Sequence, residues 1–88
     1  MLTELLVEDP ENMDDACLIA DCIKDGTPVF VRLPQGDEES AVRIFDFLRG
    51  VALGLEGRFQ RLGRMTYLCT PKEIRVSDLR GVQDEAES

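Results

Sequence analysis

Between Arg43 and Pro71 the chain reads RIFDFLRGVALGLEGRFQRLGRMTYLCTP, and no other stretch limits the fold as tightly. In its first half Ile44, Phe45, Leu48, Val51, Ala52 and Leu55 recur at spacings of three and four, the period of a helix face. Gly54-Leu55-Glu56-Gly57 then turns the chain. From Arg58 the period changes to two, with Phe59 and Arg61 on one side of a strand and Arg58, Gln60 and Leu62 on the other. Gly63-Arg64 signals a tight hairpin, and Thr66-Tyr67-Leu68-Cys69 pairs back against the preceding strand. A helix must therefore run directly into a β-hairpin.

The remaining segments fit around that unit. Leu5-Leu6-Val7 reads as a short strand ended by Glu8-Asp9-Pro10, and Asn12 caps a helix over Met13–Lys24, with Asp15 in its first turn. Ala16, Ile19, Ala20 and Ile23 form the packed face of that helix, and Asp25-Gly26-Thr27-Pro28 stops it, the glycine being suited to a left-handed helix end. Val29-Phe30-Val31-Arg32-Leu33 has the composition of an inner strand. Pro34-Gln35-Gly36 breaks it, and Asp37 caps a second helix running through Arg43, Phe47 and Gly50 to near Gly54. Glu73-Ile74-Arg75-Val76 alternates as a last edge strand. The predicted order is β-α-β-α-β-β-β: an α/β two-layer sandwich, with two helices packed on one face of a mixed four- to five-stranded sheet. Residues 1–80 form one domain, and the polar tail 81–88 is expected to be disordered.

A chain of 88 residues buries a modest share of its surface, so a dimer interface is expected to add stability. The sequence contains no apolar run long enough for a membrane-spanning helix, and its start lacks the basic region of a secretory signal, so it reads as soluble and cytosolic. Cys17, Cys22 and Cys69 are three in number and come without histidine, which argues against a disulfide framework or a Cys/His zinc site. Cys17 and Cys22 turn away from each other on a helix, and Cys69 reads as a small buried hydrophobe.

Charge is uneven. Through Glu39 there are 11 acidic and 2 basic residues, whereas Ser40 to Arg80 hold 8 basic and 4 acidic. This is either an ordinary solvated surface or one with separate acidic and basic edges, suited to a partner peptide carrying both signs. A net charge of −8 argues against nucleic acid as a partner.

Catalysis finds little to work with. Without histidine a Ser-His-Asp or Cys-His site is impossible, and no GxSxG, P-loop or CxxC motif occurs. Asp14, Asp15, Glu38 and Glu39 could pair, but each falls in the first turn of a helix, where the dipole alone favours acids. No catalytic, metal or cofactor residue is assigned.

Other features admit two readings from the residues. The apolar face of the second helix is wider than one sheet contact needs, so it packs wholly inside the monomer or meets a second partner. Gly50-Val-Ala-Leu-Gly54 has the GxxxG spacing for close helix approach; alternatively Gly50 admits a bulky neighbour from the sheet while Gly54 and Gly57 shape the helix exit. Arg43 and Asp46 form a surface ion pair, or Asp46 fixes the helix against the sheet. Arg61 and Tyr67, opposite each other across the hairpin, are a binding hot spot or a core tyrosine beside a solvated arginine.

Arg43, Phe47, Gly50, Gly57, Gln60, Gly63 and Leu68-Cys69-Thr70-Pro71 follow the order and spacing of the core of the SepF family of cell-division adaptors. The likeness extends through Val7-Glu8-Asp9-Pro10, Asp15-Ala16 and Pro28 to Leu33, and covers nearly residues 4 to 77. Arg32 stands where that family usually has asparagine, Tyr67 where it usually has phenylalanine, and Glu56 in a turn where Asp or Gly is common.

The resemblance implies a non-enzymatic core that dimerises, associates further into polymers, and binds the C-terminal tail of FtsZ, the tubulin-like division protein, at the division site. The basic and aromatic residues at Arg61 and Tyr67 match positions that contact that tail, and Phe47 and Arg43 on the facing helix complete the expected site. Gly50, Leu53, Gly54 and Gly57 are the expected self-association residues. Family members reach the membrane through an N-terminal amphipathic helix; this chain begins almost on its first strand, so membrane tethering is expected from a longer natural protein or not at all. Two other classes stay open: a regulatory small-ligand domain and a purely structural self-assembling protein.

Overall fold

Both helices begin where a side chain can accept from the backbone. The Asp15 N–H donates to Asn12 Oδ1 at 2.9 Å and the Glu11 N–H to Asp15 Oδ2 at 2.9 Å, which starts α1 (Met13–Lys24). Ser40 donates to Asp37 from its N–H at 3.1 Å and its hydroxyl at 2.8 Å, and this starts α2 (Glu38–Gly54). These bonds hold the Asp37 carboxyl below the usual carboxylate range. The computed structural model describes residues 4–74 and the backbone of 83–84.

The strands are β1 (Leu6–Glu8), β2 (Val29–Arg32), β3 (Arg58–Gly63), β4 (Thr66–Thr70) and β5 (Gln83–Asp84), arranged β1-β2-β4-β3-β5 in one mixed sheet. β1 runs parallel to β2, with Leu6 opposite Val29, and every other pair is antiparallel. A parallel neighbour requires a crossover, and α1 supplies it. Both helices lie on one face, closing the expected two-layer sandwich. The core joins Ala16, Ile19 and Ile23 of α1, Ala41, Ile44, Leu48 and Ala52 of α2, and Val29, Val31, Phe59, Tyr67 and Cys69 of the sheet. The period-three-and-four residues of the helices thus meet the alternate residues of the strands.

The ends of elements show small corrections. β1 is shifted by one residue from the expected Leu5–Val7, because Leu6 is the residue that pairs with Val29 and packs on the core. At the hairpin the left-handed residue is Met65 (φ 60°), not Gly63, which is the last residue of β3; a register shift between Arg61 and Gly63 absorbs the difference. The edge strand expected at 73–76 is not formed by its described part: Lys72 and Glu73 make a turn closed by the Ile74 N–H donating to the Pro71 carbonyl at 3.1 Å. Arg75 and Val76 lie outside the described residues. Within the tail expected to be disordered, Gln83–Asp84 pairs with β3, and the rest of 81–88 also lies outside the described residues.

Both helices end with the same pair of hydrogen bonds but with different residues at the left-handed position. After α1 the Gly26 N–H donates to Ile23 O and the Thr27 N–H to Cys22 O, each at 3.0 Å, with Gly26 at φ 86°. After α2 the Glu56 N–H donates to Leu53 O at 3.0 Å and the Gly57 N–H to Ala52 O at 2.9 Å, with Glu56 at φ 60°. A side chain at positive φ is strained, so Glu56→Gly is expected to raise stability by about 0.5–1 kcal/mol. An unchanged or lower urea midpoint would contradict this.

The thiols differ in the same physical terms. Cys69 is fully buried, and burial pushes its pKa up to about 12, whereas Cys17 is exposed. A thiol reagent at neutral pH is expected to modify Cys17 in the folded protein and Cys69 only on unfolding. Mass spectrometry of the labelled peptides against urea concentration reads this directly.

Candidate functional site

The first half of α2 carries two stripes. Ala41, Ile44 and Leu48 face the sheet and are buried, while Glu38, Val42 and Phe45, spaced four and three apart, lie along the adjoining flank. That flank faces the hairpin. Phe45 meets Tyr67 with ring centroids 5.2 Å apart at 60°, and Phe59 at 5.5 Å and 62°, while Phe59 and Tyr67 stack at 5.0 Å and 3°. Edge-on and offset ring contacts are favourable arrangements, so the trio fixes how far α2 stands from β4.

Above Tyr67 this spacing leaves an open, mainly apolar pocket of about 260 Å³, lined by Leu33, Ala41, Val42, Phe45, Met65, Tyr67 and Glu38. Val42 is half exposed at its rim. Beyond Met65 and Glu38 lies a second, more polar cleft of about 530 Å³, bounded by Pro34, Gln35, Gly36 and Arg64. Arg61 is the register partner of Tyr67, and its Nε donates to the Gly63 carbonyl at 3.3 Å. The helix side of the groove therefore begins with an acid and the hairpin side carries exposed arginines. An extended segment with an apolar side chain and charges of both signs is the kind of ligand these walls can hold.

Of the residues expected to bind the partner, Arg61 and Tyr67 come together, but in different roles. Tyr67 is buried to 8% exposure as the pocket floor, and Arg61 is exposed beside it. Phe47, two residues from Phe45 on the helix, lies on the opposite flank and packs partly buried against the core. Arg43 is exposed on the outer side of α2, as is Asp46, which therefore does not pin the helix to the sheet. The groove residues missed by sequence reasoning, Val42, Met65 and Glu38, were detectable in part: the stripe Glu38-Val42-Phe45 is displaced from the core stripe Ala41-Ile44-Leu48.

The residues expected for self-association also separate. Gly50 and Gly54 face outward, and a Cβ at either would meet nothing within 4 Å, so Gly50 makes no room for a sheet side chain. Leu53, between them in sequence, is 56% exposed. Gly57 is different, for its backbone lies directly against the Thr70 carbonyl where β3 begins. Arg32 is tied to Asp9 by two charge-assisted bonds, Nε and Nη2 each 2.7 Å from a carboxylate oxygen, which join the end of β2 to the β1–α1 connection. The hydrogen bond from Arg32 lowers the Asp9 carboxyl below its ordinary range, and the same contact raises the guanidinium. Among the described residues no helix is long and apolar enough to cross a membrane.

The sequence model of a protein family described as Cell division protein SepF matches residues 6–76. Cell division protein SepF of Oceanobacillus iheyensis is 37% identical over 75 residues, covering 85% of this chain and 52% of that protein. The protein of the same name from Clavibacter michiganensis is 33% identical over 76 residues, covering 86% of this chain and 46% of its own length. Among solved structures, a SepF-like protein from Archaeoglobus fulgidus superimposes with a TM-score of 0.77 at 23% identity, over 86% of this chain and 94% of that one. This chain spans about half the length of the curated relatives it matches.

Proposed function

This chain belongs to the SepF family of cell-division proteins, and from that premise we propose that it is an adaptor core that captures the C-terminal tail of FtsZ in the groove between α2 and the β3–β4 hairpin. The observation that carries the reading is the apolar pocket over Tyr67, rimmed by Glu38 on one side and neighboured by Arg61 and Arg64 on the other. An apolar side chain of the tail fills the pocket, and its charged neighbours meet the walls. Binding rather than bond-making is the work, in keeping with a chain without histidine whose Cys69 thiol is buried and held protonated. The core acts on the cytoplasmic side of the division site, where it helps link the division ring to the membrane.

The outer face of α2, where Gly50 and Gly54 are open and Leu53 is exposed, is the surface we assign to a second copy. It lies at the C-terminal end of α2 whereas the groove lies along the N-terminal half, so the two surfaces are about three turns apart on the helix and one dimer holds two tails. Sedimentation analysis is expected to give a dimer that Leu53→Asp converts to monomer.

A thermal-shift series separates this function from its rivals. The FtsZ C-terminal peptide at 100 times its Kd is expected to stabilise the protein by about 2.7 kcal/mol, and free amino acids and nucleotides not at all. Stabilisation by a metabolite with none from the peptide would favour a small-ligand domain. Large assemblies indifferent to both would favour a structural protein.

A further inference from the structure

The pocket over Tyr67 and the polar cleft beside it have two lining residues in common, Glu38 and Met65. Met65 is the apolar sill between them. Glu38 is the charged group that touches both, while Arg64 faces the cleft from the hairpin turn. The ordinary role of acids at a helix start is to satisfy the first turn, but in α2 Asp37 already does so through Ser40. Glu38 and Glu39 both lie in that turn and both are exposed, yet only Glu38 borders the cavities. The helix thus presents a carboxylate at the junction of an apolar pocket and a cleft with an arginine on its far wall.

We infer that Glu38 and Arg64 are the charge-reading residues of the groove: Glu38 takes a lysine or arginine of the bound segment, adjacent to its apolar anchor, and Arg64 takes a carboxylate further along. The inference rests on the peptide-binding reading and gives it a direction. An extended strand advances roughly 3.3 Å per residue, so a segment anchored over Tyr67 and crossing Met65 enters the cleft within a residue or two. Opposite charges at the junction and on the far wall penalise a reversed segment by placing like charges together, which is how polar rims select orientation more than they add affinity.

The test is a double-mutant cycle read by fluorescence anisotropy. The probes are the labelled FtsZ C-terminal peptide and the same peptide with every lysine and arginine replaced by glutamine. Glu38→Gln is expected to weaken the unmodified peptide about three- to fivefold, the range of a solvent-exposed ion pair, and to leave the neutralised peptide unchanged. Glu39→Gln, which removes the same charge from the same helix turn outside the groove, is expected to change neither. Arg64→Gln is expected to lose its effect only when the peptide's acids are replaced by their amides. Equal weakening of both peptides by Glu38→Gln, or equal effects of Glu38→Gln and Glu39→Gln, would overturn the inference while leaving the groove as the binding site. No binding of either peptide by the folded wild-type protein would overturn the inference together with the reading beneath it.

Discussion

Replacing Phe59 by alanine is expected to remove about 3–5 kcal/mol of stability, the usual cost of deleting a buried phenylalanine side chain. Phe59 is fully buried, stacks on Tyr67 at 5.0 Å and meets the edge of Phe45 at 5.5 Å. Both the α2-to-sheet contact and the pocket floor therefore rest on it. A domain of 88 residues is held together by roughly 4–13 kcal/mol, so this one change takes about a quarter of that stability or more. Phe45, on the same trio but only partly buried, should cost less as alanine, since part of its surface already meets water. Urea unfolding followed by circular dichroism measures both. A Phe59→Ala loss below about 1 kcal/mol, or one smaller than that of Phe45→Ala, would mean that the aromatic trio does not organise the core.

Gly57→Ala is the second large effect, expected at about 2–3 kcal/mol by the cost of overpacking. The added methyl would fall inside the van der Waals surface of the Thr70 carbonyl oxygen, a backbone atom of β4 that cannot rotate away as a side chain would. Gly57 also donates its N–H to Ala52 O at 2.9 Å, so any shift that relieves the clash loosens the end of α2 as well. Gly50→Ala provides the contrast. In the single chain its methyl projects into open space on a helix, and alanine is the better helix former by about 1 kcal/mol, so in the monomeric Leu53→Asp background the same chemical change is expected to stabilise at position 50 and destabilise at position 57. Equal effects at the two sites would contradict this account of the α2–β3 turn.

Much of the fold was legible because its signals are local. Asn12 and Asp37 are caps that a sequence shows directly, the helix α1 spans the expected Met13–Lys24, and the change of period after Gly57 marks the hairpin. What local signals could not fix were positions set by tertiary pairing. The start of β1 depends on which residue meets Val29, and the left-handed residue of the hairpin depends on a register shift that leaves Met65, rather than a glycine, at the turn. The candidate site was legible by pairing but not by depth. Arg61 and Tyr67 do face each other, yet only the packing of Phe45 shows that the tyrosine is a floor and not a free anchor. Phe47 belonged to the same helix and the same apolar pattern, but its angular position sends it to the opposite flank.

The measurement that bears most directly on the central claim is an anisotropy titration of the labelled FtsZ C-terminal peptide with the wild-type protein, Val42→Asp, Arg61→Glu and Leu18→Asp, each first confirmed to be folded. Val42 borders the pocket and Arg61 stands beside its floor, whereas Leu18 is a similarly exposed apolar residue on α1, outside the groove. The account predicts saturable binding that Val42→Asp and Arg61→Glu each weaken tenfold or more, by about 1.4 kcal/mol, and that Leu18→Asp leaves intact. Binding that survives both groove variants, or that Leu18→Asp removes instead, would place the partner on another surface and contradict it.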